Sequence, residues 1–140
     1  MNTTYELFPA TSAEAEILND KIDAFNVQQV SFQGEAEIFK DYVVKDNSLI
    51  IAGIRSCFYL GECLSINVLF VDENHRCKGL GSLLLNKVEA DAKAMGAKLC
   101  HLDTFDFQAK DFYIKHGYEV FGVLDDCPSG HKRYYMKKNL

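Results

Sequence analysis

The sequence contains no tryptophan and only two prolines, Pro9 and Pro128. Both prolines fall at expected element ends, so neither breaks a helix or strand interior. The five cysteines, Cys57, Cys63, Cys77, Cys100 and Cys127, include no Cys-x-x-Cys pair, and their number is odd. That spacing matches no common zinc site and no fully paired disulfide framework. Free thiols in a reducing compartment are expected, and no metal. No apolar run approaches the roughly 18 residues of a membrane span. Met1–Pro9 lacks the basic and apolar regions of a secretory leader, so the cytoplasm is the expected location. A positive excess is also missing, since 15 Lys and Arg stand against 20 Asp and Glu, a formal −5. Without a basic face to release counterions, nucleic acid is not an expected partner, whereas a cationic small molecule or basic peptide is.

What is present suits a single domain over residues 1–140. The chain is 48% hydrophobic, with ten Phe and seven Tyr as bulky core material. A chain of this length buries about two-thirds of its unfolded surface. Thr3–Phe8 reads as a short strand. Thr11-x-x-Glu14 is a capping-box pattern, and a helix follows to about Asn26 with Ile17, Leu18, Ile22 and Phe25 on one side. Val27–Glu35 is polar and ambiguous, and reads as a loop with a helical turn. Strands are expected over Ile38–Lys45, Leu49–Leu60 and Leu64–Val71, the last nearly continuous in apolar residues and so central.

The pattern then changes. Asp72–Lys78 is polar, and Gly79-Leu80-Gly81 opens a helix to about Met95, with Leu83, Leu84, Val88 and Ala92 as its buried stripe. Gly96 sits where a helix C′ glycine belongs. Ala97–Thr104 is a strand, Gln108–His116 a short helix stopped by Gly117, and Tyr118–Leu124 and Arg133–Lys138 are strands. Hairpin-linked strands followed by a β-α-β crossover give a mixed α/β sheet with helices on its faces.

The segment Arg76-Cys77-Lys78-Gly79-Leu80-Gly81-Ser82 has the chemistry of an anion site. The first turn of a helix leaves backbone N–H groups unpaired, and its dipole favours negative charge. Glycines allow close approach to the backbone, and Arg76, Lys78 and Ser82 add charge and a hydroxyl. The spacing is neither a Walker loop nor a dinucleotide-binding fingerprint. Cys77 is the one thiol at a position where a thiolate is favoured, beside a helix N-terminus. One strand downstream lies Ala109-x-x-Phe112-Tyr113-x-Lys115-x-Gly117-Tyr118.

Together, Arg76-x-x-Gly79-x-Gly81 and that second segment resemble the two signature segments of the GNAT superfamily of N-acetyltransferases. The resemblance runs over nearly the whole element order. It implies a central mixed sheet whose middle strands splay apart, with acetyl-coenzyme A in the resulting V. It implies that Leu69 and Val71 offer backbone groups to the pantetheine arm and acetyl carbonyl. Arg76, Cys77, Lys78, Gly79, Leu80, Gly81 and Ser82 would hold the pyrophosphate. Tyr113 matches the tyrosine that protonates the departing thiolate, a sensible role for a neutral phenol. The implied reaction is direct attack by a primary amine, of a small molecule or peptide, in a ternary complex.

Two departures stand out. Alternation places Ser65, Asn67 and Leu69 on one strand face. Asn67 and Ser65 stand where some relatives carry basic residues, though neither accepts a proton usefully at pH 7. Asp103 is the substitute acceptor, with His101 two residues earlier. Asp106 stands where relatives have an asparagine that touches the cofactor. Glu35 and Glu37 lie in the segment that lines the acceptor site in the superfamily and are candidates to recognise a cationic amine. The strands after Tyr118 are the expected homodimer contact. The alternative reading, motivated by Asn67, is a non-catalytic module that senses acyl-coenzyme A.

Overall fold

The computed structural model describes residues 3–140. Its elements run α1 (Ser12–Gln29), β1 (Glu37–Phe39), β2 (Tyr42–Asp46), β3 (Leu49–Tyr59), β4 (Cys63–Val71), α2 (Leu80–Ala94), β5 (Leu99–Phe105), α3 (Lys110–Lys115), β6 (Glu119–Asp125) and β7 (Lys132–Asn139). The strands form one seven-stranded mixed sheet in the order β1-β3-β4-β5-β7-β6, with β2 also pairing β3. Only β4 and β5 run parallel. They are joined by the α2 crossover, as a parallel pair requires.

The core lies on one side of this sheet. Leu84, Leu85, Val88 and Ala92 of α2 and Tyr113 of α3 pack against Ala52, Ile54, Phe58, Leu64, Ile66, Leu102 and Met136. Each Leu, Ile, Val, Phe or Met among them contributes about 1.5–3 kcal/mol on full burial. A charged network adjoins them, with Glu89 buried and Lys138 partly buried. Glu89 of α2 takes Lys138 Nζ at 2.6 Å and the Tyr118 hydroxyl at 2.8 Å. Paired on both oxygens, the carboxylate avoids the cost of an isolated buried charge.

The ends of α2 follow from its glycines. Gly79 is its N-cap at φ +80°, a conformation that L residues rarely adopt, and no side chain caps the first turn. At the other end Ala97 N–H reaches the Ala92 carbonyl at 2.8 Å across Gly96, at φ +105°. This is the left-handed helix stop expected at that glycine.

The expected strand at Thr3–Phe8 is not formed, and those residues have no regular structure. A strand needs a ladder partner, and this segment pairs with none of the edge strands β1, β2 and β6. The capping box does form. Thr11 Oγ1 accepts from Glu14 N–H at 3.2 Å, and Glu14 Oε1 accepts from Thr11 N–H at 3.0 Å. The helix continues to Gln29, past its expected end, and none of its residues is buried.

Candidate active site

The site begins at an irregularity in β4. Against β3, Ser56 pairs with Ile66 and Arg55 with Val68, so Asn67 is an extra residue in a bulge. A bulge bends its strand and resets the alternation. Leu69 therefore joins Ile66 on the core side, opposite Ile54, and does not share a face with Asn67 as simple alternation predicts. Ser65 and Asn67 do share one, with Ser65 Oγ 3.1 Å from Asn67 Oδ1.

The parallel ladder between β4 and β5 runs from Cys63 and Leu99 only to Ile66 and Leu102. Beyond the bulge the two strands diverge. The backbone of β4 from Asn67 to Val71 then borders a cleft of about 780 Å³. This divergence is the expected V.

The cleft gathers most of the expected site. Asn67, Leu69, Val71, Arg76, Cys77, Gly79, Leu80, Gly81, Ser82, Asp103 and Tyr113 all line it. Lys78 is exposed beside it and does not line it. Glu35 and Glu37 are not brought there within one chain. Glu37 pairs with Tyr59, which pairs with Cys63 at the start of β4. The cleft opens near the other end of that strand, roughly 20 Å along it.

The turn between β4 and α2 is shaped to admit an anion. Arg76 Nε donates to the Val71 carbonyl at 3.2 Å, which folds the guanidinium over the end of β4. Cys77 (φ 62°) and Gly79 both have left-handed backbones. A Cβ at Gly79 would meet nothing within 4 Å, so this side of the turn is open. The first N–H groups of a 15-residue helix, uncapped by any side chain, face that opening.

Helix α3 is keyed to the same turn. A Cβ at Gly81 would lie 3.2 Å from Phe112 Cζ, so glycine there lets the aromatic ring seat on the turn. Ser82 Oγ lies 2.9 Å from His116 Nε2, and Phe112 packs on the His116 ring at 4.6 Å. Tyr113, between them in sequence, is buried in the core cluster and reaches the cleft. Burial, reinforced by Cys100 and Asp103, pushes its phenol up to about 12, so the hydroxyl keeps its proton at neutral pH.

Asp103 sits on the opposite wall with one oxygen taken. Its Oδ1 accepts from Arg133 Nε at 2.8 Å and Nη2 at 2.6 Å. His101, two residues earlier, is hydrogen-bonded to the Tyr59 hydroxyl and does not line the cleft. Asp106 has a structural task. It accepts from Lys132 N–H at 2.8 Å and meets His131 Nδ1 at 2.9 Å, fastening the β5–α3 turn to the start of β7. The Lys132 amide first, and then His131, hold its carboxyl below the usual range.

Other lining residues, among them Val68, Phe70, His75, Thr104, Phe107 and Gln108, carry no expected role from the sequence. His75 Nδ1 lies 3.0 Å from Asp72 Oδ2 in a short-range pair. Gln108 Oε1 accepts from Phe105 N–H at 2.8 Å, and Thr104 Oγ1 from Ala109 N–H at 3.4 Å, so these two residues set where α3 starts. The polar, Gln-bearing gap between β5 and α3 was the available signal.

The model of the acetyltransferase (GNAT) domain family matches residues 39–120, more than half of the chain. The chain belongs to the GNAT family of acetyltransferases. It is 36% identical over 105 residues to a blasticidin-S acetyltransferase of Streptomyces morookaense, covering 74% of this chain and 76% of that one. It is 26% identical over 137 residues to an acetyltransferase of Agrobacterium fabrum, covering 97% and 98%. Among solved structures, an acetyltransferase from Bacillus cereus superposes with a TM-score of 0.84 at 35% identity, covering 97% of this chain and 98% of that one. The mixed sheet and crossover are thus those of a GNAT acetyltransferase, and the protein is an enzyme of that class.

Proposed function

We propose that this acetyltransferase takes its acetyl group from acetyl-coenzyme A and delivers it to a primary amine of a small cationic molecule. One observation carries this reading. The open glycine turn and Tyr113, whose phenol is protonated, line one cleft at the divergence of β4 and β5. A long donor with an anionic end and a thioester end needs that combination.

The residues divide the work. Backbone N–H groups at Gly79–Ser82 and the Arg76 side chain hold the pyrophosphate. Backbone groups of Leu69 and Val71 orient the pantetheine arm, and an N–H aimed at the acetyl carbonyl stabilises the charge that develops on its oxygen. The amine attacks that carbonyl directly, and Tyr113 gives a proton to the thiolate as it leaves. The remaining walls combine the apolar Val68, Phe70 and Phe107 with the polar Asn67, Thr104 and Gln108, with Lys115, and with a single carboxylate, Asp103. That composition suits a small molecule carrying one cationic amine. We assign Asp103 to meeting the ammonium and accepting its proton through the oxygen that Arg133 leaves free. The relative named for blasticidin S makes amine-bearing antibiotics the first acceptors to test.

The test is release of free coenzyme A thiol over a panel of small amines, in the native enzyme and in Tyr113→Phe. Turnover that falls about 10²-fold or more in Tyr113→Phe, with unchanged acetyl-coenzyme A affinity, fits a general acid. Equal turnover in both proteins removes Tyr113 from the chemistry. Cofactor binding with no turnover on any amine favours the sensor reading.

A further inference from the structure

The surface of the chain is too large for a finished monomer. A folded monomer of 15.8 kDa exposes roughly 7,300 Å², whereas this chain exposes 9942 Å², a surplus of about 2,600 Å² on the same scaling. Residues 3–30 are exposed along almost their whole length. Tyr5, Leu7 and Phe8 precede α1 in open chain, and Leu7 is 99% exposed. Along α1, Leu18, Ile22 and Phe25 fall on one side and are 63%, 54% and 56% exposed.

The helix is turned the wrong way to be packed by its own domain. Asp23 and Asn26 face a small recess formed by Ala36, Glu37, Tyr59 and Leu60, while Ile22 and Phe25 remain exposed. A solitary helix of 18 residues is marginal in water, and most helices in proteins are held by the packing of an apolar face. The sheet has a matching deficit. Both α2 and α3 lie on the core side. The other side carries Asp103, Arg133 and Tyr135 in cross-strand register, with Phe121 beside Tyr135 and Lys137. Exposed Val68, opposite Arg55, and Phe70 extend it across β4.

We propose that residues 3–30 form an exchange arm, which lies across the helix-free sheet face of a second copy of this chain while that copy's arm lies across the first. The occupant is set by area and by shape. Two copies each removing a surplus of this size bury a total within or just above the range of obligate homodimers, about 2,000–5,000 Å². The exchange is self-complementary, as a two-fold interface requires. It differs from a contact through the strands after Tyr118 because the arm is its principal element.

The exchange bears on the site. Val68, Phe70 and Asp103 line the cleft and also belong to the face that the partner's arm would cover. The acceptor side of the cleft is therefore closed by the second copy. This consequence rests on the proposed function, while the exchange itself does not.

Light scattering on the full chain, with and without the double substitution Leu18→Asp and Ile22→Asp, tests the exchange. Neither residue is buried within its own copy, so the domain's fold does not depend on them. The expected result is a native species of twice 15.8 kDa at micromolar concentration and a substituted species of single mass. Hydrogen exchange on the native protein is the second measurement. The α1 amides are expected to be protected at least a hundredfold beyond an isolated helix. A native monomer, a substituted protein that stays dimeric, or unprotected α1 amides would overturn the proposal. None of these readouts depends on catalysis, so an inactive dimer would count against the proposed function alone.

Discussion

Ser82 Oγ and His116 Nε2 lie 2.9 Å apart, joining the helix that presents the anion site to the helix that carries Tyr113. The bond holds the Ser82 hydroxyl at the turn and fixes the end of α3. A hydrogen bond of this kind is worth about 1 kcal/mol net. His116→Ala is therefore expected to raise the KM for acetyl-coenzyme A about fivefold, with a smaller change in kcat. Steady-state kinetics at saturating amine checks this, and an unchanged KM would show that the hydroxyl does not serve the cofactor.

The two turn glycines should fail differently. Gly81→Ala drives a methyl to 3.2 Å from Phe112 Cζ and 3.3 Å from Cε2. Overpacking of that sort costs about 1–3 kcal/mol and shifts α3, so both melting temperature and kcat should fall. Gly79→Ala meets no neighbour but keeps a φ of +80°, a strain of about 1–2 kcal/mol. Phe112→Leu should restore part of the loss in Gly81→Ala and none in Gly79→Ala. A thermal-melting double-mutant cycle reads this directly.

Tyr113 sets an expectation for pH. Its folded pKa, raised to about 12 by burial first, lies above the unfolded phenol value of 10.0. The fold favours the neutral form, so this contribution is fully present below pH 10 and is lost as pH rises toward 12. Its size is roughly 2–3 kcal/mol. Denaturant midpoints between pH 9 and 11.5 should fall less steeply in Tyr113→Phe than in the native protein. Parallel slopes would show that the phenol is not buried as described.

The partly buried pair of Glu89 and Lys138 offers a stability test away from the cleft. Lys138→Met strands a carboxylate that is otherwise held at 2.6 Å. Because Lys138 is 25% exposed, the loss is expected to fall below the roughly 3–5 kcal/mol of a fully buried pair. Replacing both, as Glu89→Leu with Lys138→Met, should recover most of that loss. Chemical denaturation of the two variants checks the order.

Much of this fold was legible because local signals agreed. The Thr11/Glu14 box, Gly79, Gly96 and Gly117 each end or start an element where the structure ends or starts it. The paired signature segments placed the turn and Tyr113 on one cleft. Three features were hidden. The Asn67 bulge depends on how β4 registers against β3, which no period within β4 reveals. The contact of Ser82 with His116 joins residues 34 apart and arises from packing. Thr3–Phe8 reads as a strand, but it pairs with none of the sheet's edges, and local propensity without a ladder partner does not make a strand.

Calorimetric titration of acetyl-coenzyme A into the full chain, beside Arg76→Ala and Gly79→Ala, tests the central claim most directly. The account predicts saturable binding with one site per chain, weakened at least several-fold in both variants because each disturbs the anion site. Absence of binding to the native protein, or equal affinity in all three, would contradict it.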